Sequence, residues 1–200
     1  FDKALMEAKA MKSEFDKIML IDGNDERGID VGVLIKSNYQ LASIVSHVND
    51  SDNGSLIFSR DCPEYLVECN GKKVLVLINH LKSKGYGSQP DSDARRKLQA
   101  QKVKEIYDLR KSQGIEHIAI VGDFNDTPES DPLSPLLGSE LKDIFGHPKF
   151  QGDDRPGTYG NGAKSNKIDY ILLSPALYQK VSLGGVWRKG VWGGKNGKLF

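Results

Sequence analysis

The run Val74-Leu75-Val76-Leu77-Ile78 constrains this chain more than any other stretch. Five consecutive branched apolar residues in an extended conformation point to both faces of a sheet, so such a strand is expected to be buried on both sides. It follows Cys69-Asn70-Gly71-Lys72, and Asn-Gly between two apolar runs is the strongest short hairpin signal. Its partner is Glu64-Tyr65-Leu66-Val67-Glu68. That strand separates Cys62 from Cys69 by roughly 20 Å at about 3.3 Å per residue, too far for a disulfide. Both cysteines therefore read as structural thiols.

The remaining elements follow from periodicity and punctuation. Phe1, Ala4, Leu5, Ala8, Met11 and Phe15 stand at helical spacing, which predicts a surface helix over Phe1 to Phe15. Strands are expected over Lys17 to Ile21, Ile29 to Ile35, Tyr39 to Val48, Ile118 to Gly122, Ile168 to Leu173 and Val181 to Trp187. A long helix is expected from Ser92 to Gln113, with Ala94, Leu98, Gln101, Val103, Ile106, Tyr107 and Leu109 on its apolar side and Gly114 ending it. Residues 126–166, rich in Pro and Gly, read as irregular. Strands and helices mix without a strict alternation, so the expected class is α/β, a layered sandwich rather than a doubly wound sheet. With 200 residues, 38% of them hydrophobic, the chain is expected to form one domain, without repeats. No apolar run approaches the roughly 20 residues of a membrane span.

A net charge of +1 argues against wholesale adhesion to a polyanion, but the charge is unevenly spread. Lys82 to Glu105 holds seven basic residues against three acidic, and Trp187 to Phe200 holds four basic residues and no acid, whereas Glu129 to Asp154 holds six acids against two lysines. A polyanion would be met locally, at the two basic stretches. A solvated helix face with a basic end accounts for the same charges.

Chemistry-bearing residues collect at strand ends, where loops held by a rigid sheet carry function. Ile118-Ala119-Ile120-Val121 runs into Gly122-Asp123-Phe124-Asn125-Asp126. Asp123 and Asn125, two apart, share a side if the chain stays extended, a geometry that holds a water or a cation against a phosphate. An Asx-type turn before Pro128 explains the same residues. Asn79-His80-Leu81-Lys82-Ser83 leaves the buried strand with a histidine able to donate a proton or bind an anionic oxygen, or to serve as a structural hydrogen-bonding group. Asp169 enters an apolar strand, which is costly without a partner. Arg27 and Asp30 could form an ion pair or a substrate clamp, and Arg60 adds a further cation at a strand end.

Taken in order, Arg-Gly-Ile-Asp-Val-Gly (27–32), Phe-Ser-Arg (58–60), Asn-His-Leu-Lys-Ser (79–83), Gly-Asp-Phe-Asn-Asp (122–126) and Lys-Ile-Asp-Tyr-Ile-Leu (167–172) resemble the endonuclease/exonuclease/phosphatase superfamily. The resemblance implies a DNase I-like sandwich of two packed mixed sheets flanked by helices. It implies that Asp123 orients or deprotonates the attacking water and touches a divalent metal, Mg²⁺ or Mn²⁺. Asn125 would hold the same water, a phosphate oxygen or the metal. His80 would hydrogen-bond the scissile phosphate or protonate the leaving group, and Asp169 would orient a second histidine. Arg60 would contact phosphate, with Arg27, Asn79 and Lys82 on the substrate. Phosphodiester hydrolysis needs these parts: an activated water, a neutralised oxyanion and a proton for the leaving alkoxide.

The family's early metal-binding Glu and its terminal Ser-Asp-His strand have no counterpart here. The expectation is therefore a domain incomplete at both ends, without its first and last core strands, that cannot hold the principal metal tightly and is weakly active or inactive. The expected function of the parent protein is a divalent-metal-dependent phosphodiester hydrolase acting on nucleic acid. A phospholipid or inositol-phosphate esterase of the same fold, and a non-catalytic binding module, are the alternatives.

Overall fold

The structure, a computed structural model, describes residues 15–188 and the backbone of 192–193 and 198–199. The helix expected over Phe1 to Phe15 falls outside the described residues except for Phe15, which opens a strand. Lys189, Lys195 and the Lys198 side chain of the basic end also lie outside them.

Eight strands and one long helix position everything that follows. They are β1 (Phe15–Ile21), β2 (Val31–Lys36), β3 (Gln40–Val45), β4 (Glu64–Cys69), β5 (Lys72–His80), α1 (Gln89–Ser112), β6 (Ile118–Asp123), β7 (Lys142–Asp143) and β8 (Asp169–Leu173). Strands β3-β4-β5-β6-β8-β7 form one six-stranded sheet in that order. The β5–β6 pair is parallel and the other pairs are antiparallel, so the sheet is mixed. A second, antiparallel sheet of β1 and β2 lies against β5, giving the α/β architecture anticipated from the motifs.

The hairpin at Asn70–Gly71 forms as its chemistry dictates. Both residues adopt positive φ, 51° and 73°, the geometry that matches a tight turn to the twist of its strands. From there β5 alternates. Leu75 and Leu77 are buried against α1 with Ile118 and Ile120 of β6 and Leu172 of β8, together with Ala100, Val103, Ile106 and Tyr107 of the helix. Each such aliphatic side chain contributes about 1.5–3 kcal/mol relative to exposure. The opposite face of β5, with Val74, Val76, Ile78 and His80, is only half-buried. Full burial on both faces was expected. The β1–β2 pair covers only part of this face, through Val31 and Ile35.

Helix α1 starts three residues earlier than its apolar spacing suggested. Ser88 caps it, accepting from the Asp91 N–H at 3.2 Å, and Pro90 fits the first turn, where its missing N–H costs nothing. Its buried side also differs from expectation. Ala94, Gln101 and Leu109 face outward, while Ser92, Arg96 and Gln99 are buried beside Ala100, Val103, Ile106 and Tyr107. The first half of the helix packs on the polar strand exits rather than on apolar strand centres. Residues 181–187, expected as a strand, contribute only Gly184–Gly185, paired in parallel with Phe150–Gln151. Among the described residues no helix is long and apolar enough to cross a membrane.

Candidate active site

Strands β5 and β6 end, and the antiparallel β8 begins, level with one another. The register sets His80 opposite Asp123 and Asp123 opposite Asp169. Because successive side chains alternate faces, all three project from the half-covered face as one row. His80 Nε2 and Asp123 Oδ2 stand 3.9 Å apart, each side chain about 30% exposed (30% and 31%). That separation is too long for a hydrogen bond and leaves both groups able to meet a third.

The turn after β6 is built by close approach. Gly122 has φ of 134°, and a Cβ there would sit 1.9 Å from the Asn79 carbonyl oxygen. No other residue fits without displacing β5. Asn125 takes the left-handed conformation, φ 54°. Its N–H donates to Asp123 Oδ1 at 2.8 Å and its side-chain amide donates to the Leu81 carbonyl at 3.0 Å. The Asx-type turn and the site are therefore the same object: the turn bond aims Asp123. The Phe124 N–H donates to the Ile168 carbonyl at 2.8 Å, and the Phe124 ring stacks on Tyr170 at 4.8 Å, anchoring the turn in the core. Asp126 goes elsewhere. It is buried and pairs with Lys84 at 2.5 Å and Arg96 at 2.8 Å; burial opposes its ionisation, and these cations with the Thr127 N–H outweigh that and hold its pKa low.

Two buried arginines grip residues 80–82 by their carbonyls. Arg60 donates to the His80 carbonyl at 3.1 Å and the Leu81 carbonyl at 2.6 Å, and its remaining arm reaches Asp25 at 3.2 Å. Arg96, fully buried, donates to the Lys82 carbonyl at 2.6 Å while holding Asp126 and Asp93. Gln99 accepts from the Lys82 N–H at 2.8 Å. Arg60 thus stands behind His80 with all three of its nitrogens engaged by protein. Asn79 lies on the opposite face from His80, buried, its amide 3.4 Å from the Leu77 carbonyl. Asp169 is aligned through its backbone, donating to Thr158 Oγ1 at 3.0 Å, and its carbonyl accepts from Lys167 Nζ at 2.9 Å.

Arg27 and Lys82 line a separate cleft of about 350 Å³ beside Arg60. Arg27 forks onto Asp25, Nε to Oδ1 at 2.9 Å and a terminal nitrogen to Oδ2 at 2.8 Å. Its guanidinium lies over the ring of Tyr86, 4.9 Å from the centroid. Asp30, the expected partner of Arg27, instead accepts from the Gly23 N–H at 2.7 Å. Sequence reasoning passed over Tyr86 and Arg96. The signal for the first is an aromatic set between Gly85 and Gly87 in a polar loop; Arg96 carries none, because its partner Asp126 is 30 residues away.

Burial lowers the pKa of His80, and the positive charges of Arg60 and Arg27 add to the effect. Its ring is therefore neutral at neutral pH. Burial raises the pKa of Asp123, and the adjacent Asp169 charge pushes the same way against the Asn125 N–H. The carboxylate is a better proton acceptor than a solvated one. Among the described residues no three His, Cys, Asp or Glu side chains are grouped to hold a metal ion. The donors at hand are the neighbouring carboxylates of Asp123 and Asp169 and the amide of Asn125. Hard oxygens in that number suit Mg²⁺, which keeps several waters and binds through one or two carboxylates.

Solved structures of other proteins share this fold. The chain resembles a mannosyl-6-phosphatase of Bacteroides thetaiotaomicron (TM-score 0.67, 16% identity, 88% of this chain and 68% of that one). It also resembles the human Nocturnin catalytic domain with a bound sulfate (0.66, 14%, 88% and 65%) and sphingomyelinase C of Streptomyces griseocarneus (0.62, 16%, 87% and 66%). It spans about two thirds of the length of each. No curated protein sequence matches it. A sequence profile of a family of hydrolytic phosphoesterases matches residues 2–183, nearly the whole chain. With that match laid over the five motifs and the mixed-sheet sandwich, the chain belongs to the endonuclease/exonuclease/phosphatase family.

Proposed function

We propose that this chain carries the phosphate-handling centre of a divalent-metal-dependent phosphodiester hydrolase whose substrate is nucleic acid. The observation that carries the proposal is the row His80, Asp123, Asp169 at three level strand ends. Asp123, with raised basicity and its free oxygen directed toward His80, takes the proton of a water. Asn125 fixes the orientation of that carboxylate. The neutral His80 ring donates a hydrogen bond to a phosphate oxygen, and Arg60 locks its backbone from behind. Asp169 sets the negative field beside Asp123. Lys82 and Arg27 meet the rest of the substrate. Asp123, Asp169 and Asn125 would hold the metal, which supplies charge neutralisation at the phosphate when bound. Two carboxylates and one amide hold it loosely, so turnover is expected to be slow and to require millimolar metal.

The test is hydrolysis of a short oligonucleotide and of bis(4-nitrophenyl) phosphate with Mg²⁺ or Mn²⁺. Wild type should turn over both, and Asp123→Asn should lose at least about 100-fold. Hydrolysis indifferent to that substitution, or no hydrolysis at any metal concentration, would reject the proposal in favour of a binding module.

A further inference from the structure

We infer that the cleft between Arg27, Arg60 and the Lys82 to Tyr86 loop is a subsite for a nucleobase adjoining the scissile phosphate. The inference rests on the phosphodiesterase reading and deepens it, because it selects a nucleotide ester over a choline or inositol headgroup.

Tyr86 is 61% exposed, yet its backbone is pinned. The Tyr86 carbonyl accepts from the buried Ser92 hydroxyl at 3.0 Å, and Lys84 anchors the loop on buried Asp126. Gly87 beside it has φ of 92°, which allows the turn. The large aromatic is held in place at the surface with two cations against its ring, Arg27 and Lys82, and the rest of it left to solvent. The Arg27 guanidinium, levelled by the fork from Asp25, lies over it, so ring and guanidinium form a stack that a further flat group can extend. Aromatic rings and guanidinium planes are the surfaces on which bases stack.

The charges around the stack narrow the ligand. Lys82 Nζ lies 5.9 Å from the Tyr86 centroid and pairs with no carboxylate among the described residues. Two cations so close to the ring repel a choline ammonium, which would otherwise seek such an aromatic. Asp25 is already shared between Arg27 and Arg60, and Glu26 also lines the cleft. The three cations exceed the two carboxylates by one charge, enough for one phosphate and unsuited to a polyphosphorylated ring. A flat, uncharged heterocycle with a single phosphate satisfies every wall. The cleft opens beside the strand exit that carries His80, so a phosphate on Lys82 and the scissile phosphate belong to neighbouring positions of one chain.

The experiment is equilibrium binding in EDTA, where no hydrolysis occurs, using adenosine 5′-monophosphate, ribose 5-phosphate and phosphocholine. Adenosine monophosphate should bind about 5- to 150-fold tighter than ribose 5-phosphate, the worth of one base stack, and phosphocholine should bind weakest. Tyr86→Ala should erase the advantage, Tyr86→Phe should keep it, and Lys82→Ala should weaken both sugar phosphates alike. Circular dichroism confirms that each variant is folded. Equal binding of the two sugar phosphates, no detectable nucleotide binding, an advantage that survives Tyr86→Ala, or a preference for phosphocholine overturns the inference. A base preference without metal-dependent hydrolysis sinks the catalytic proposal alone. Hydrolysis without a base preference sinks this one alone.

Discussion

The same three strands, β5, β6 and β8, show two unlike faces. Toward α1 they present Leu77, Ile118, Ile120 and Leu172, each 0% exposed, whereas the other face ends in His80, Asp123 and Asp169 and leaves Ile171 42% exposed. One residue of register separates the two sets. Stability resides on the first face and, in the function proposed above, reactivity on the second, so substitutions on them should fail in different assays.

The largest separation is expected at Asp123. Asp123→Asn keeps an acceptor for the Asn125 N–H and removes one of two adjacent negative charges, so hydrolysis should fall about 10²- to 10⁴-fold while the melting temperature stays level or rises. Ile120→Ala is the mirror case. It should cost about 2–5 kcal/mol by denaturant titration, with turnover per folded molecule retained. A loss of turnover per folded molecule there would show that the two faces are coupled. Gly122→Ala tests the seam between them. Its Cβ must push the Asn79 carbonyl away, so stability and hydrolysis should fall together, stability by roughly 1–3 kcal/mol.

A smaller effect is expected from pH. His47 has Nδ1 3.0 Å from Asp50 and Nε2 2.9 Å from Glu64, with Arg110 on Glu64 and Lys102 on Asp50. Carboxylates only accept hydrogen bonds, so the ring must carry both protons. Burial opposes that charge, and the bonds to Glu64 and Asp50 outweigh it, raising the His47 pKa above 6.5. The stability it adds is present in full below the unfolded value and is lost as pH rises through the raised folded value. Melting temperature should therefore decline as pH rises past 6.5 toward the raised folded value in wild type and be flatter in His47→Gln. The smallest change is expected at Ile171→Thr, within about 0.5 kcal/mol, because its side chain already stands partly in solvent.

Much of the first face was legible in the chain. Asn70–Gly71 specifies a turn and Ile118 to Val121 a buried strand by local chemistry alone. The row His80, Asp123, Asp169 was legible only as three separate strand ends, since register between strands far apart in sequence has no local signature. Arg60 and Arg96 were less legible still. A buried arginine looks like a surface one until its long-range carbonyl and carboxylate partners, from 14 to 35 residues away, are folded around it. The inverted face of α1 has the same cause: Ser92, Arg96 and Gln99 are buried because they serve strand exits, which apolar periodicity does not register.

The Asn70–Gly71 hairpin leaves a practical handle. Cys69, half-exposed, sits at its shoulder, and β5 runs nine residues from Lys72 to His80, so the thiol and the reactive row are roughly 26 Å apart. The other cysteine, Cys62, is buried, and burial beside Asp61 and Glu64 pushes its thiol far up, leaving it inert to alkylating dyes. A single fluorophore can therefore be attached to the unaltered chain at one known position. It would report, by energy transfer to a labelled oligonucleotide, on whether the proposed substrate approaches and leaves, without touching the row His80, Asp123 and Asp169.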